Sequence, residues 1–436
     1  MRIIFNQELA SNISVLMADP AVNEAVSLWG KEEIYRKSSI DLRIFYTPFG
    51  SISLLYGPRQ IGKTASLKLF LSQVTDSETL IFTDCSTILN KSDLATHLST
   101  LIRGKTTIIL DEVQEVPEWH LALRSLYSEG KLKECRIWCT GSEARYLLES
   151  GERLPGRKGE GKTVFARPWS FREYIDFFYP SEASALNSLS FKHLNQNWLN
   201  DQRLDWSRYW RDYLLTGGIP HVVASAVKRG GIPDTIWRVY IDWVLGTWSK
   251  VRTPERSLAS LARRICETLN SRVSYETLKK GTDIQSANTI KTLLDLQEDH
   301  FSLSVLTRFD PQRARSLPSK LKKIYPLDPW MARVWAAIGW NVRRLYGTSL
   351  PLLHLDECAF LTQMFRAEGP FSASYLYSEQ TKSEVDFYFE GCGFELKSNG
   401  DPTRSQKILL DSCPQSFVIK KNQLPLMAYL VGEGRN

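Results

Sequence analysis

Cysteine and histidine are scarce and scattered in this chain of 436 residues, seven of the first and six of the second. Cys85, Cys135, Cys139, Cys266, Cys358, Cys392 and Cys413 are odd in number, which argues against a disulfide framework. Cys135 and Cys139 lie close together in a strand-like stretch, but no second Cys or His pair accompanies them. They read as buried thiols, and no zinc site is expected. No stretch is apolar over the length of a bilayer crossing, and the opening MRIIFNQELASN lacks the apolar run of a signal peptide. The expectation is a cytoplasmic chain that makes no use of a membrane. A strong charge imbalance is absent too: 55 Lys and Arg against 48 Asp and Glu leave a formal net charge of +7. So mild an excess is compatible with nucleic acid without requiring it.

What is present is an ordinary globular composition, 43% hydrophobic and 24% charged. The length exceeds what one core supports and suggests about two to four domains. The chain is organised around SISLLYGPRQIGKTAS, residues 51–66. It reads as an apolar strand, a glycine-bounded loop and the start of a helix. Gly57, Pro58, Arg59, Gln60, Ile61, Gly62, Lys63 and Thr64 have the G-x-x-x-x-G-K-T spacing of a phosphate-binding loop, and Ala65 continues it. Glycine lets the backbone wrap a polyphosphate, and N–H groups at the new helix N-terminus face its oxygens. Lys63 is placed to reach the β- and γ-phosphates of ATP, and the Thr64 hydroxyl to ligate Mg2+.

Mg2+ and an attacking water both need negative charge beside the γ-phosphate. The strand-like TTIILDE, residues 106–112, supplies it: Asp111 for the metal and Glu112 as general base. Strands near 79–84 and 135–142 alternate with helices near 91–103 and 119–129, so the nucleotide core reads as a parallel sheet with helices on both faces. Thr140 and Ser142 close the last of these strands, where a polar side chain senses the γ-phosphate or the water; a solvated turn has the same composition. Arg157, on a Gly-rich basic loop, is a candidate for stabilising transition-state charge, with a merely solvated arginine as the alternative.

Together, the loop string, LDEVQ at 110–114, TGS at 140–142, Gly156-Arg157 and RPWSFREY at 167–174 resemble the prokaryotic AAA-type ATPase family AAA_14. LTGGIP at 215–220 resembles a Gly-Gly-x-Pro element that follows the ATPase core in that family. Two features depart from its pattern: a long polar insert around 181–205, and Trp169 where an aliphatic residue is expected. The resemblance covers most of residues 50–400 and implies a C-terminal DUF4143 region, viewed as a PD-(D/E)xK nuclease-like fold, and a winged helix before it.

The residues themselves allow both. Helical patterns at 257–270, from 274 and from 286, then an alternating 301–305 stretch, have the order of a winged helix-turn-helix. Arg308, Arg313, Arg315, Lys320, Lys322 and Lys323 stand against Asp310 alone, a basic wing able to track phosphates. The third helix has only Lys291 near its start, which is thin for reading a major groove, and such modules also dock proteins. Farther on, Glu395 and Lys397 share one face of a strand while Phe394 and Leu396 take the other. With Asp386 on the preceding strand they form D…E-x-K, two carboxylates for Mg2+ and a lysine for the attacking water or developing charge, and Glu357 is a further carboxylate.

The expected architecture is multidomain α/β: an N-terminal helical segment at 1–45, an AAA-type P-loop parallel-sheet core at 46–175, a helical lid at 176–250, a winged helix-turn-helix at 251–330 and a PD-(D/E)xK-like α/β domain at 331–436. The expected function is an Mg2+-dependent ATPase that binds DNA and processes it through Asp386, Glu395 and Lys397. The alternative is an ATP-dependent switch whose nuclease-like domain is inert and holds a partner protein. A monomer and a homo-oligomeric ring fit the sequence equally.

Overall fold

A computed structural model of the chain describes residues 2–5, 8–10, 40–74, 78–152, 154, 159–184, 186, 188–248, 251, 253–311, 313–317, 321–340, 354–366 and 373–432. The chain divides into two compact units, Met1–Arg167 with Asp299–Phe301, and Pro168–Glu298 with Ser302–Asn436.

The first unit is built on a seven-stranded sheet. Its strands are β1 (Arg2–Phe5), β2 (Glu8–Ala10), β3 (Ser51–Tyr56), β4 (Thr79–Asp84), β5 (Thr106–Asp111), β6 (Cys135–Gly141) and β7 (Thr163–Phe165), in the order β2-β1-β4-β5-β6-β3-β7. All neighbours are parallel except β1 and β2. Helices α1 (Lys63–Leu71), α2 (Lys91–Leu101), α3 (Trp119–Ser128) and α4 (Ala144–Glu152) alternate with them. Strands β3, β5 and β6 are buried at every position, which is why they read as near-continuous apolar runs rather than as alternating ones.

Strand β3 lies between β6 and β7. The chain leaves β3 for β4, returns through β5 and β6, then crosses to β7. Strand order therefore reverses at β3, and the crevice this leaves opens at the carboxyl ends of the strands. One expectation changes here. Glu8–Ala10, read from sequence as the start of a helix, is a strand antiparallel to β1, which in turn lies along β4. The β-prone run at 3–5 favours an extended backbone, and Ile4 is buried. The rest of the expected N-terminal helices, through residue 39, lies outside the described residues.

The second unit begins with helices α5 (Phe171–Phe178), α6 (Pro180–Ala183), α7 (Gln196–Asp201), α8 (Ser207–Thr216), α9 (Pro220–Arg229) and α10 (Asp234–Trp248). Much of their aromatic content is core: Trp206, Trp210 and Tyr213 are buried, Tyr209 is half-buried, and Phe171 meets Trp210 edge-on at 5.0 Å. Helices α11 (Glu255–Glu267), α12 (Tyr275–Lys279) and α13 (Ala287–Asp299) follow, with the Ser274 hydroxyl accepting from Thr277 N at 3.0 Å to cap α12.

Next comes a bent ribbon in which β8 (Leu303–Leu306) pairs with β11 (Lys323–Pro326), and β9 (Arg308–Asp310) with β10 (Arg315–Leu317). The chain ends with α14 (Pro329–Gly339), α15 (Leu355–Thr362), β12 (Ser374–Ser378), β13 (Ser383–Phe389), β14 (Cys392–Lys397), α16 (Arg404–Asp411), β15 (Gln415–Lys420) and α17 (Leu424–Val431).

The tip of the ribbon is no free wing. Strand β9 runs parallel to β12, completing a six-stranded sheet β10-β9-β12-β13-β14-β15, so strands from both sides of the boundary expected at residue 330 share one sheet. Apolar burial explains the union: Phe309 stacks on Tyr388 at 4.6 Å beside the buried Leu376, Val385 and Leu410.

Candidate functional site

The loop after β3 needs its glycines. At Gly57, φ is +153°, and a Cβ would lie 2.4 Å from the Ala166 carbonyl oxygen. Gly62 sits at φ +96° as the N-cap of α1, with no side chain capping that end, so the first N–H groups of the helix face the loop. Lys63 folds back inside: its Nζ donates to the carbonyl oxygens of Gly57 at 2.8 Å and Pro58 at 2.9 Å. Burial lowers the Lys63 pKa, against the opposing pull of Glu112 and Asp111.

Strand β5 delivers its carboxylates to the same place. The Thr64 hydroxyl donates to Asp111 Oδ2 at 2.8 Å, and the Thr140 hydroxyl to Asp111 Oδ1 at 2.6 Å. Burial raises the Asp111 pKa, with the Thr140 hydroxyl resisting. Glu112 takes a left-handed backbone, φ +52°, and its N–H donates to Thr140 Oγ1 at 2.9 Å. That turn brings its Oε1 to 3.9 Å from Lys63 Nζ. Its Oε2 accepts from the Ser142 hydroxyl at 3.0 Å and from the Gln114 amide. Burial opposes the Glu112 charge, but Lys63, Gln114 and Ser142 outweigh it and leave the pKa below its ordinary value. A carboxylate already deprotonated at neutral pH can accept a proton from water.

Thr64, Asp111, Glu112, Thr140 and Ser142 are thus one hydrogen-bonded group at the strand ends, with Lys63 ion-paired to it through Glu112. The donor set suits Mg2+: a threonine hydroxyl and an aspartate oxygen already meet, both hard oxygen ligands. Arg157 lies outside the described residues. Gln114 went unassigned in the sequence; its one signal is its position two residues after the acidic pair.

The second constellation is in the terminal sheet. Glu395 and Lys397 do share a face of β14, with Nζ 2.7 Å from Glu395 Oε1. Asp386 lies across from them on β13, its N–H donating to Glu395 Oε2 at 3.3 Å and its Oδ2 accepting from Leu396 N at 2.9 Å. Gln406, on α16, donates to Glu395 Oε1 at 2.7 Å. Glu357 approaches from α15, but what it meets is Lys323. The Lys323 side chain is 0% exposed, and its Nζ lies 2.8 Å from Glu384 Oε1, 2.9 Å from Asp386 Oδ1 and 3.4 Å from Glu357 Oε2.

Burial works against the Lys323 charge, yet Tyr325, Asp386, Glu357 and Glu384 hold its pKa well above the ordinary value. Burial also pushes Glu357 and Glu395 up to about 7. Among the described residues, no three His, Cys, Asp or Glu side chains are arranged to hold a metal ion. The metal role expected of Glu357, Asp386 and Glu395 therefore does not fit this arrangement, because an ammonium stands where the carboxylates converge. Sequence reasoning missed Lys323, Glu384, Tyr325 and Gln406 here, and placed Lys323 on a phosphate-tracking wing. Of that basic run, Lys323 is buried and Arg308 pairs with Glu379 at 3.1 Å, while Lys320 lies outside the described residues.

Residues 50–175 match the AAA_14 family, described as an AAA domain, and the span holds both the phosphate loop and the Asp111-Glu112 strand end. An uncharacterized protein of Methanocaldococcus jannaschii is 25% identical over 366 residues, which cover 77% of this chain and 72% of that protein. Of solved structures, the Walker-type ATPase PABY2304 of Pyrococcus abyssi is similar with a TM-score of 0.44 and 15% identity, over 70% of this chain and 97% of that one. A variant of Thermotoga maritima RuvB is similar with a TM-score of 0.31 and 18% identity, over 67% and 93%. No helix among the described residues is long and apolar enough to cross a membrane.

Proposed function

We propose that this chain is an Mg2+-dependent ATP hydrolase of AAA type whose second unit binds DNA. The observation that carries the first part is the convergence of Lys63, Thr64, Asp111 and Glu112 at the carboxyl ends of β3 and β5. In this reading Lys63 exchanges the Gly57 and Pro58 carbonyls for phosphate oxygens, and the N-terminus of α1 takes the rest of the polyphosphate. Thr64 and Asp111 hold Mg2+, which when bound supplies positive charge to the phosphate oxygens. Glu112 accepts a proton from the attacking water, oriented by Ser142 and Gln114. Thr140 fixes the Asp111 carboxylate and, through the Glu112 N–H, the turn that aims the base.

The test is ATP binding and turnover in two variants. Lys63→Ala is expected to lose nucleotide affinity. Glu112→Gln is expected to keep it and hydrolyse about 10²–10⁴-fold more slowly. Parental turnover in Glu112→Gln would remove Glu112 from the chemistry.

For DNA, the support is a cavity of about 550 Å3 lined by Lys397, Lys420, Lys421, Ser398 and Asn399, with three lysines against the single acid Asp401. Lysines and small polar groups around an open cleft suit a phosphodiester backbone. We assign residues 176–250 as a helical lid, 251–330 as a winged helix whose ribbon tip is shared with the terminal sheet, and 331–436 as a nuclease-like domain. DNA processing by that domain needs a metal that its carboxylates do not fit. The contacts of Lys323 favour the inert nuclease-like domain of the second reading, an ATP-dependent switch that holds a partner protein.

A further inference from the structure

The terminal sheet contains a buried cation for which ATP hydrolysis has no use. Lys323 belongs to β11, where it pairs with Leu306 of β8, so its backbone is fixed by a ribbon before its side chain enters the sheet. Three carboxylates from three positions, Glu357 on α15 and Glu384 and Asp386 on β13, place an oxygen 3.4, 2.8 and 2.9 Å from its Nζ. Each has a second partner. The Tyr325 hydroxyl donates to Glu357 Oε2 at 2.5 Å, Arg272 Nε donates to Glu384 Oε2, and Leu396 N–H donates to Asp386 Oδ2 at 2.9 Å. Glu395, the remaining acid, is held by Lys397 and Gln406.

A divalent cation needs hard oxygens converging on one point at about 2.0–2.6 Å. In this chain that point is an ammonium nitrogen. Three carboxylates already face two buried or half-buried cations, Lys323 and Arg272, and a metal entering beside them would meet two like charges in a poorly solvated site. Lys323 cannot swing away cheaply, because it would leave those carboxylates buried without a counter-ion.

We infer that Lys323 is a resident cation occupying the place a divalent metal would take, so that the Glu357, Glu384 and Asp386 cluster binds no Mg2+ and cuts no phosphodiester. The inference rests on the reading of the second unit as a binding module and gives it a cause. It also makes a reciprocal statement: with the ammonium gone, the same oxygens become a metal site.

The experiment counts bound Mn2+ by the EPR signal of the free ion, on the full chain without nucleotide. The parent and Asp386→Asn are expected to bind the same number. Lys323→Met is expected to gain one Mn2+ per chain, and the Lys323→Met, Asp386→Asn double variant to lose it again. Mn2+ bound by the parent and lost in Asp386→Asn overturns the inference, as does a folded Lys323→Met with no gain. Should Lys323→Met fail to fold, the parent against Asp386→Asn decides alone: equal counts support it and a lost ion overturns it. DNA cleavage assayed on the same samples keeps the two ideas apart, since cutting that survives Asp386→Asn sinks the binding-module reading while the metal count still judges Lys323.

Discussion

Asp328 is a fully buried carboxylate that caps α14, accepting from Met331 N at 2.9 Å through Oδ1 and from Gly218 N at 2.9 Å through Oδ2. Burial pushes its pKa from 3.8 up to about 6, against the pull of those N–H groups. A raised folded pKa means the folded state holds the proton more tightly than the unfolded chain does. The stability from this group is therefore complete below the ordinary aspartate range and lost as pH rises through about 6. The shift corresponds to about 3 kcal/mol. Asp328→Asn carries no charge to bury, so its unfolding free energy from denaturant titration is expected to gain on the parent's between pH 4 and pH 7, by up to that amount. Parallel profiles for the two would mean that Asp328 does not titrate in this window. At this scale the sequence reveals contiguous chemistry best. Lys63 and Thr64 stand in one string and Asp111 and Glu112 in another, and the fold had only to join two legible pieces. Lys323 was illegible because its three carboxylates lie from 34 to 63 residues away, and nothing in a run of basic residues marks the one that turns inward.

Elements show a second kind of gap, where a motif is visible but its reason is not. The Gly217-Gly218 pair stands out in the sequence only by resemblance. In the fold, Trp169 N–H donates to Gly218 O at 2.7 Å, and the Tyr213 hydroxyl donates to Trp169 O at 2.8 Å. The approach is so close that a Cβ on Gly218 would lie 2.0 Å from Trp169 O and 2.8 Å from its N. Both obstacles are backbone and cannot rotate aside. Gly218→Ala is expected to destabilise the second unit by about 3 kcal/mol or more, a size reserved for overpacking and backbone conflict. Gly231 is the control, since a Cβ there meets nothing within 4 Å. Gly231→Ala is expected to change stability by less than about 1 kcal/mol, in the stabilising direction. Equal midpoints for the two variants in urea would contradict the packing account. The ribbon of β8 to β11 is the complementary lesson. Only the alternation at 301–305 was legible, and strand partners are chosen by the whole sheet: β9 found β12.

For the whole molecule, gating of DNA by nucleotide would require that ATP held by the first unit and DNA held by the second change each other's affinity. Coupling of that kind is reciprocal: if an unhydrolysed ATP tightens or loosens DNA binding by some factor, DNA must change ATP affinity by the same factor. Glu112→Gln makes the measurement clean, because it is expected to hold ATP without turning it over. Two titrations follow, DNA affinity with and without ATP, and ATP affinity with and without DNA. A factor of one in both would leave an ATPase and a DNA binder merely sharing a chain, and would end the idea that nucleotide gates DNA. The DNA surface is located separately by salt. Each phosphate neutralised by a lysine adds about 0.9 to the slope of log affinity against log salt for duplex DNA. Lys420→Ala with Lys421→Ala is therefore expected to weaken binding and lower that slope by roughly 2, with nucleotide affinity in the absence of DNA unchanged. The cavity these lysines line also carries Lys397, which Glu395 holds at 2.7 Å, and Asp401, whose Oδ1 lies 4.0 Å from Lys420 Nζ, an exposed pairing that a phosphate can displace. A slope that does not move would place the phosphates on another face, and the ATP-linked factor would then have to be traced from there.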